Sequence, residues 1–107
     1  MIREKKEILF SAVSREELLR WTSDLVAIPS YSGLPMQEQA VADYIVDLLR
    51  KERIDCRIQH LADGRCNVIA RLAGAGAGRS LMLNGHMDTV PAYDMLQAFE
   101  PRLKNGM

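Results

Sequence analysis

The sequence predicts an α/β fold class, helices packed on a mixed sheet, and three observations carry that reading. Two segments before Lys51 place apolar residues at helical spacing. After Lys51 the apolar period changes from 3.6 to 2, and an Asp63-Gly64 dipeptide marks a tight reversal. A short apolar run, Leu81-Met82-Leu83, then has the character of a strand covered on both faces. With 107 residues the chain is long enough for one domain at most, residues 1–107.

The elements follow in order. Ser14-Arg15-Glu16-Glu17 has the form of a capping box, and Leu18, Trp21, Leu25 and Val26 continue it at helical spacing. A helix is therefore expected from about Ser14 to Val26, with the first dozen residues extending it at its start. Pro29 and Gly33 interrupt the chain. A second helix is expected from near Pro35, because proline is tolerated in a first turn. Met36, Ala40, Val41, Tyr44, Ile45, Leu48 and Leu49 form its apolar stripe, with Gln37, Glu38, Asp43, Asp47 and Arg50 opposite. Ile54, Cys56 and Ile58 then alternate with Asp55, Arg57 and Gln59 as a strand with one wet face. A two-residue turn at Asp63-Gly64 sets Ala62 against Arg65 and Cys66 against Leu61, and Cys66 to Leu72 is the returning strand. Cys56 then lies five residues from Cys66's partner, roughly 16 Å away. A disulfide needs Cα atoms within about 7 Å, so two free thiols are expected. Ala73 to Gly78 is a small-residue linker, and Ser80 to Gly85 is the third strand.

Composition excludes several functions. Lys+Arg 14 against Asp+Glu 14 leaves a formal net charge of +0, which gives no basic footprint for nucleic acid and no polybasic face for a membrane. No apolar run approaches the roughly 20 residues of a membrane span. The opening residues lack the form of a secretory signal, and the two cysteines have no C-x-x-C spacing, so a cytoplasmic location is expected. The Gly-rich segment fails as a phosphate loop. Arg79 stands where a dinucleotide fingerprint needs glycine, and the segment leads into a strand rather than a helix.

The chemistry lies in Leu81-Met82-Leu83-Asn84-Gly85-His86-Met87-Asp88-Thr89-Val90-Pro91. In extended backbone, residues two apart point to one side, so the His86 imidazole and the Asp88 carboxylate emerge together. A neutral imidazole binds a metal through one nitrogen while its other N–H needs an acceptor, which Asp88 can supply. Taken alone, this three-residue spacing fits an ordinary polar pair in a surface loop better than a metal motif. His60 and Cys66 read as structural residues, and a buried thiol is by default a small hydrophobe.

The wider window changes that balance. It resembles the first metal motif of the co-catalytic zinc peptidase and deacylase family, which includes acetylornithine deacetylase, succinyl-diaminopimelate desuccinylase, aminoacylase and glutamate carboxypeptidases. Leu25-Val26-Ala27-Ile28-Pro29-Ser30-Tyr31-Ser32-Gly33 is similar to that family's opening segment. The amphipathic helix, Gly64-Arg65-Cys66-Asn67-Val68-Ile69-Ala70, and Phe99-Glu100-Pro101 to Asn105-Gly106 fall in the same order as in the family.

The resemblance implies that His86 is a ligand to one of two zinc ions, with cobalt an alternative metal. It implies that Asp88 is the catalytic acidic residue that orients this histidine. It also implies an incomplete N-terminal portion of a zinc-peptidase-like catalytic domain without its lid, the remaining ligands and the general base being expected beyond Met107. The implied substrate is an N-acyl amino acid or small peptide, and the implied assembly of the complete enzyme is a homodimer. With one convincing ligand, the chain alone is expected neither to hydrolyse amides nor to hold zinc tightly. The alternative from a different class is a non-catalytic truncated α/β module that only binds a partner.

Overall fold

The computed structural model describes residues 1–106. The chain divides into two compact units, one of Met1–Ala27 with the segment from Gln97 onward, the other of Ile28–Leu96.

The first unit holds helices α1 (Ile2–Ser11) and α2 (Arg15–Ala27). The capping signal forms at the expected place, where the Glu17 N–H donates to Ser14 Oγ at 3.2 Å. The same serine corrects the expectation that the first dozen residues extend α2. A capping residue takes non-helical backbone, so the chain leaves the helix at Ala12–Ser14 and the two helices are separate. The Ser11 hydroxyl closes the end of α1 by donating to the Ile8 carbonyl at 2.8 Å.

The second unit is α3 (Gln39–Lys51) laid against a two-stranded antiparallel sheet, β1 (Asp55–His60) and β2 (Cys66–Arg71). Helix α3 begins four residues later than Pro35 suggests. Met36 sits in the left-handed region at φ 53, which no continuous helix can pass through. The most buried residues of α3 are Val41, Ala42 and Val46, at 3%, 0% and 4% exposure. Ala42 and Val46 were outside the expected stripe, and Ala40 from within it is exposed. The face that meets the sheet is therefore rotated toward the residues between the two rows. The helix ends in a Schellman arrangement: the Arg53 N–H donates to the Arg50 carbonyl and the Ile54 N–H to the Leu49 carbonyl, both at 3.0 Å. Arg53 occupies the left-handed position of that motif, φ 57, where glycine is usual.

The hairpin departs from the expected register by one residue. The tight turn at Asp63 and Gly64 is present, with φ 59 and 72, and the Arg65 N–H closes on the Ala62 carbonyl at 3.2 Å. The Arg65 carbonyl, however, accepts from Leu61 at 2.8 Å rather than from Ala62, so Ala62 is an extra residue in the loop. Cys66 then stands opposite His60, Val68 opposite Ile58 and Ala70 opposite Cys56. A slip of one residue exchanges the faces of a strand. The observed register puts Cys56, Ile58, Cys66 and Val68 together under α3, where the Cys56 thiol donates to the Val46 carbonyl at 3.8 Å. Both thiols are free, as expected, with Cys56 now four residues from Cys66's partner.

The third strand is a correction. Ser80 to Gly85 forms no strand, and Leu81, Met82 and Leu83 are 84%, 84% and 88% exposed. A strand apolar on both faces needs a neighbour on its edge and a layer over each face, and neither is supplied here among the described residues. The sheet is accordingly two-stranded and antiparallel, while the class of helix packed on sheet holds. No helix among the described residues is long and apolar enough to cross a membrane.

Candidate functional site

Beyond Gly85 the chain docks onto Ser30 and Tyr31. The Ser30 hydroxyl, 2% exposed as a residue, donates to the Met87 carbonyl at 2.9 Å. The Thr89 N–H donates to the Ser30 carbonyl at 3.3 Å, and Tyr31 and Thr89 form a parallel bridge. This short stitch fixes the backbone on both sides of Asp88, though the strand expected to lead into it is not formed.

The structure brings His86 and Asp88 together as the two-residue spacing anticipates. His86 Nδ1 lies 3.1 Å from Asp88 Oδ1 and 2.8 Å from the Asp88 main-chain oxygen. Both neighbours are acceptors, a main-chain carbonyl and a carboxylate oxygen, so in a neutral ring Nδ1 is the nitrogen that carries the proton and Nε2 keeps its lone pair. The imidazole is 84% exposed and the Asp88 side chain 39%. The arrangement is an exposed imidazole whose ring is oriented by a neighbouring carboxylate.

A second carboxylate is linked to this pair through Arg65. Arg65 Nη2 lies 3.6 Å from Asp88 Oδ2, and both Nε and Nη2 of the same guanidinium reach Glu38 Oε1. Glu38, read from the sequence as part of a wet face, is 3% exposed at the residue preceding α3. It tolerates burial because the Arg65 hydrogen bond holds its carboxyl below the usual range, outweighing the desolvation that acts the other way. Arg65 is in turn pushed further above its ordinary value by the same bond. Ser30, Glu38 and Arg65 were not singled out by sequence reasoning. All three do lie inside segments that carried the resemblance, Ser30 in Leu25–Gly33, Glu38 in the amphipathic helix and Arg65 in Gly64–Ala70, which was the available signal.

Other candidates fall away on the same geometry. Cys66 is buried, and burial, followed by the nearby Glu38 charge, pushes its thiol up and away from the thiolate a nucleophile needs. His60 is exposed at the end of β1 and its strand partner is Cys66. No group of three His, Cys, Asp or Glu side chains is placed to hold a metal among the described residues. The donor set therefore fits one ligand position of a zinc centre and not a closed one, since a catalytic zinc takes about three protein ligands.

Known proteins provide an independent view. No family model matches the chain, and no solved structure matches it significantly. A protein of Staphylococcus epidermidis named "Probable succinyl-diaminopimelate desuccinylase" is 34% identical over 84 residues, covering 78% of this chain and 20% of that protein. One of Emericella nidulans named a "Probable carboxypeptidase" is 33% identical over 86 residues, covering 78% of this chain and 19% of the relative. The chain thus spans about a fifth of the length of the curated relatives it matches. Over that shared stretch, the chain is similar to proteins named as a desuccinylase and a carboxypeptidase.

Proposed function

We propose that this chain is the part of a zinc-dependent hydrolase that carries its first metal-ligand motif, the complete enzyme cleaving amide bonds of N-acyl amino acids or small peptides. The observation that carries the proposal is the seating of His86 Nδ1 on Asp88, in a chain one-third identical to a protein named as a desuccinylase. In this reading His86 Nε2 is the ligand atom and Asp88 the acidic residue of the site. Asp88 fixes the tautomer and the ring plane and, by accepting the Nδ1 proton, makes Nε2 a better donor. Bound zinc, or cobalt in its place, would supply Lewis-acid polarisation of an amide carbonyl and a water of lowered pKa. The further ligands and the base that accepts the water's proton are assigned to the complete protein, with a cytoplasmic location and a homodimeric assembly.

Cobalt(II) titration followed by NMR of the His86 ring tests the reading. Broadening is expected first at the His86 ring and the Met87–Thr89 amides; at those amides it is lost in His86→Ala, and the cobalt affinity falls about 10–100-fold in Asp88→Asn. Broadening that ignores both substitutions would overturn it. The chain alone is expected to leave N-succinyl and N-acetyl amino acids intact in zinc-containing buffer. It is also expected to bind zinc more weakly than micromolar in a calorimetric titration, and a stoichiometric sub-micromolar site would contradict the division of ligands proposed here.

A further inference from the structure

We infer that Arg65 is a positioning residue for the metal-ligand pair, holding Asp88 Oδ2 so that Oδ1 stays on His86 Nδ1. The inference rests on the proposed role of His86 and extends it to a residue on the hairpin. The two oxygens of Asp88 have separate partners, His86 Nδ1 at 3.1 Å and Arg65 Nη2 at 3.6 Å. A carboxylate half open to water, gripped at one oxygen only, is free to turn about its Cβ–Cγ bond and exchange that grip for solvent. Contact at the second oxygen removes the freedom.

Arg65 can do this because it is itself anchored. Nε and Nη2 converge on Oε1 of Glu38, whose side chain is 4% exposed. A guanidinium is planar and presents its donors in a fixed fork, so one group can serve two carboxylates at once. An ammonium is a point charge on a flexible stem and does not reproduce that geometry. The register of the hairpin adds to the argument. Arg65 follows the Asp63-Gly64 turn directly and its backbone is tied on both sides, N–H to Ala62 and carbonyl from Leu61. The arm thus starts from a fixed point and ends on a buried anchor. The backbone on either side of Asp88 is tied to Ser30, through the Met87 carbonyl and the Thr89 N–H.

The test is a double-mutant cycle on the full chain with cobalt(II) alone as probe, read by broadening of the His86 ring signals. Arg65→Met is expected to weaken cobalt binding about tenfold, within the range found for residues behind a metal ligand. In an Asp88→Asn background the same substitution is expected to have no further effect, because its influence passes through Asp88. No effect of Arg65→Met on the unaltered Asp88, or an equal effect in both backgrounds, overturns the inference. Should Arg65→Met fail to fold, Arg65→Lys decides. It keeps the charge beside Glu38 but loses the fork, and the same loss of coupling is expected with the α3 and hairpin amide signals unchanged. The metal-free protein supplies a separate readout. The His86 Nδ1 shift at pH 8 is expected to move in both Arg65 variants and to be insensitive to them once Asp88 is replaced. If cobalt does not bind the unaltered chain at all, the metal reading falls, and this shift alone then upholds or overturns the positioning role.

Discussion

Ser30 shows how much one small buried hydroxyl can decide. It satisfies the Met87 carbonyl while its own carbonyl receives the Thr89 N–H, so a single residue ties down the loop that carries Asp88. Replacing it with alanine leaves the Met87 oxygen without its partner and is expected to cost about 1 kcal/mol. Hydrogen exchange should speed up at Thr89 and leave the β1–β2 amides unchanged, and uniform acceleration across both would show that Ser30 supports the whole unit instead. Glu38 gives the pH dependence. Its carboxyl is held below the ordinary range by Arg65, so the folded state binds that proton less readily than the unfolded chain. Its stabilising contribution is complete above the ordinary glutamate pKa and disappears as pH falls through the depressed folded value. Glu38→Gln is therefore expected to lower the urea midpoint at pH 7 and to flatten the loss of stability between pH 5 and pH 3. An acid limb as steep as the parent's would assign that loss to other carboxylates.

At the scale of elements, the helices and the first hairpin were legible because each carries its own instructions. Ser14 caps α2, the Asp63-Gly64 pair forces the reversal, and α3 buries Val41, Ala42 and Val46 next to strands only a few residues away. The misplaced boundaries have local causes the pattern does not display. Nothing in the letters around Pro35 announces that Met36 will take a positive φ, and a three-residue loop and a two-residue loop contain the same Asp-Gly. The register could have been recovered from the strands themselves, because only one alignment places Val68 across from Ile58 with both cysteines on the covered face. Arg53 offers a prediction at this scale. A non-glycine side chain in the left-handed position at the end of α3 is strained, so Arg53→Gly is expected to raise stability by about 0.5–1 kcal/mol. Thermal unfolding followed by circular dichroism checks it, and a lower Tm would mean that the arginine stem contributes more packing than the strain costs.

For the chain as a whole, the contrast between Cys66-Asn67-Val68 and Leu81-Met82-Leu83 explains what sequence pattern can and cannot convey. Both segments are read as strands from their apolar pattern, but the first finds β1 and α3 within the neighbouring chain, whereas the second has no edge to join among the described residues. Apolar pattern reports what a segment would bury, and only the presence of partners decides whether it does. The contact between His86 and Asp88 was legible for the complementary reason: the two residues lie inside the same local window. The unburied run has a physical consequence. Three adjacent side chains at 84–88% exposure, preceded by a glycine-rich linker, make an extended apolar segment free to pair with a second copy. Replacing Leu81 and Leu83 together by Glu and Lys is expected to reduce self-association in sedimentation at concentrations where the parent chain is polydisperse. Because neither residue contacts the hairpin pattern of β1 and β2, the far-ultraviolet circular dichroism should be unaltered. Equal self-association in the charged variant would move the sticky surface elsewhere, most directly to the open edges of the two-stranded sheet itself.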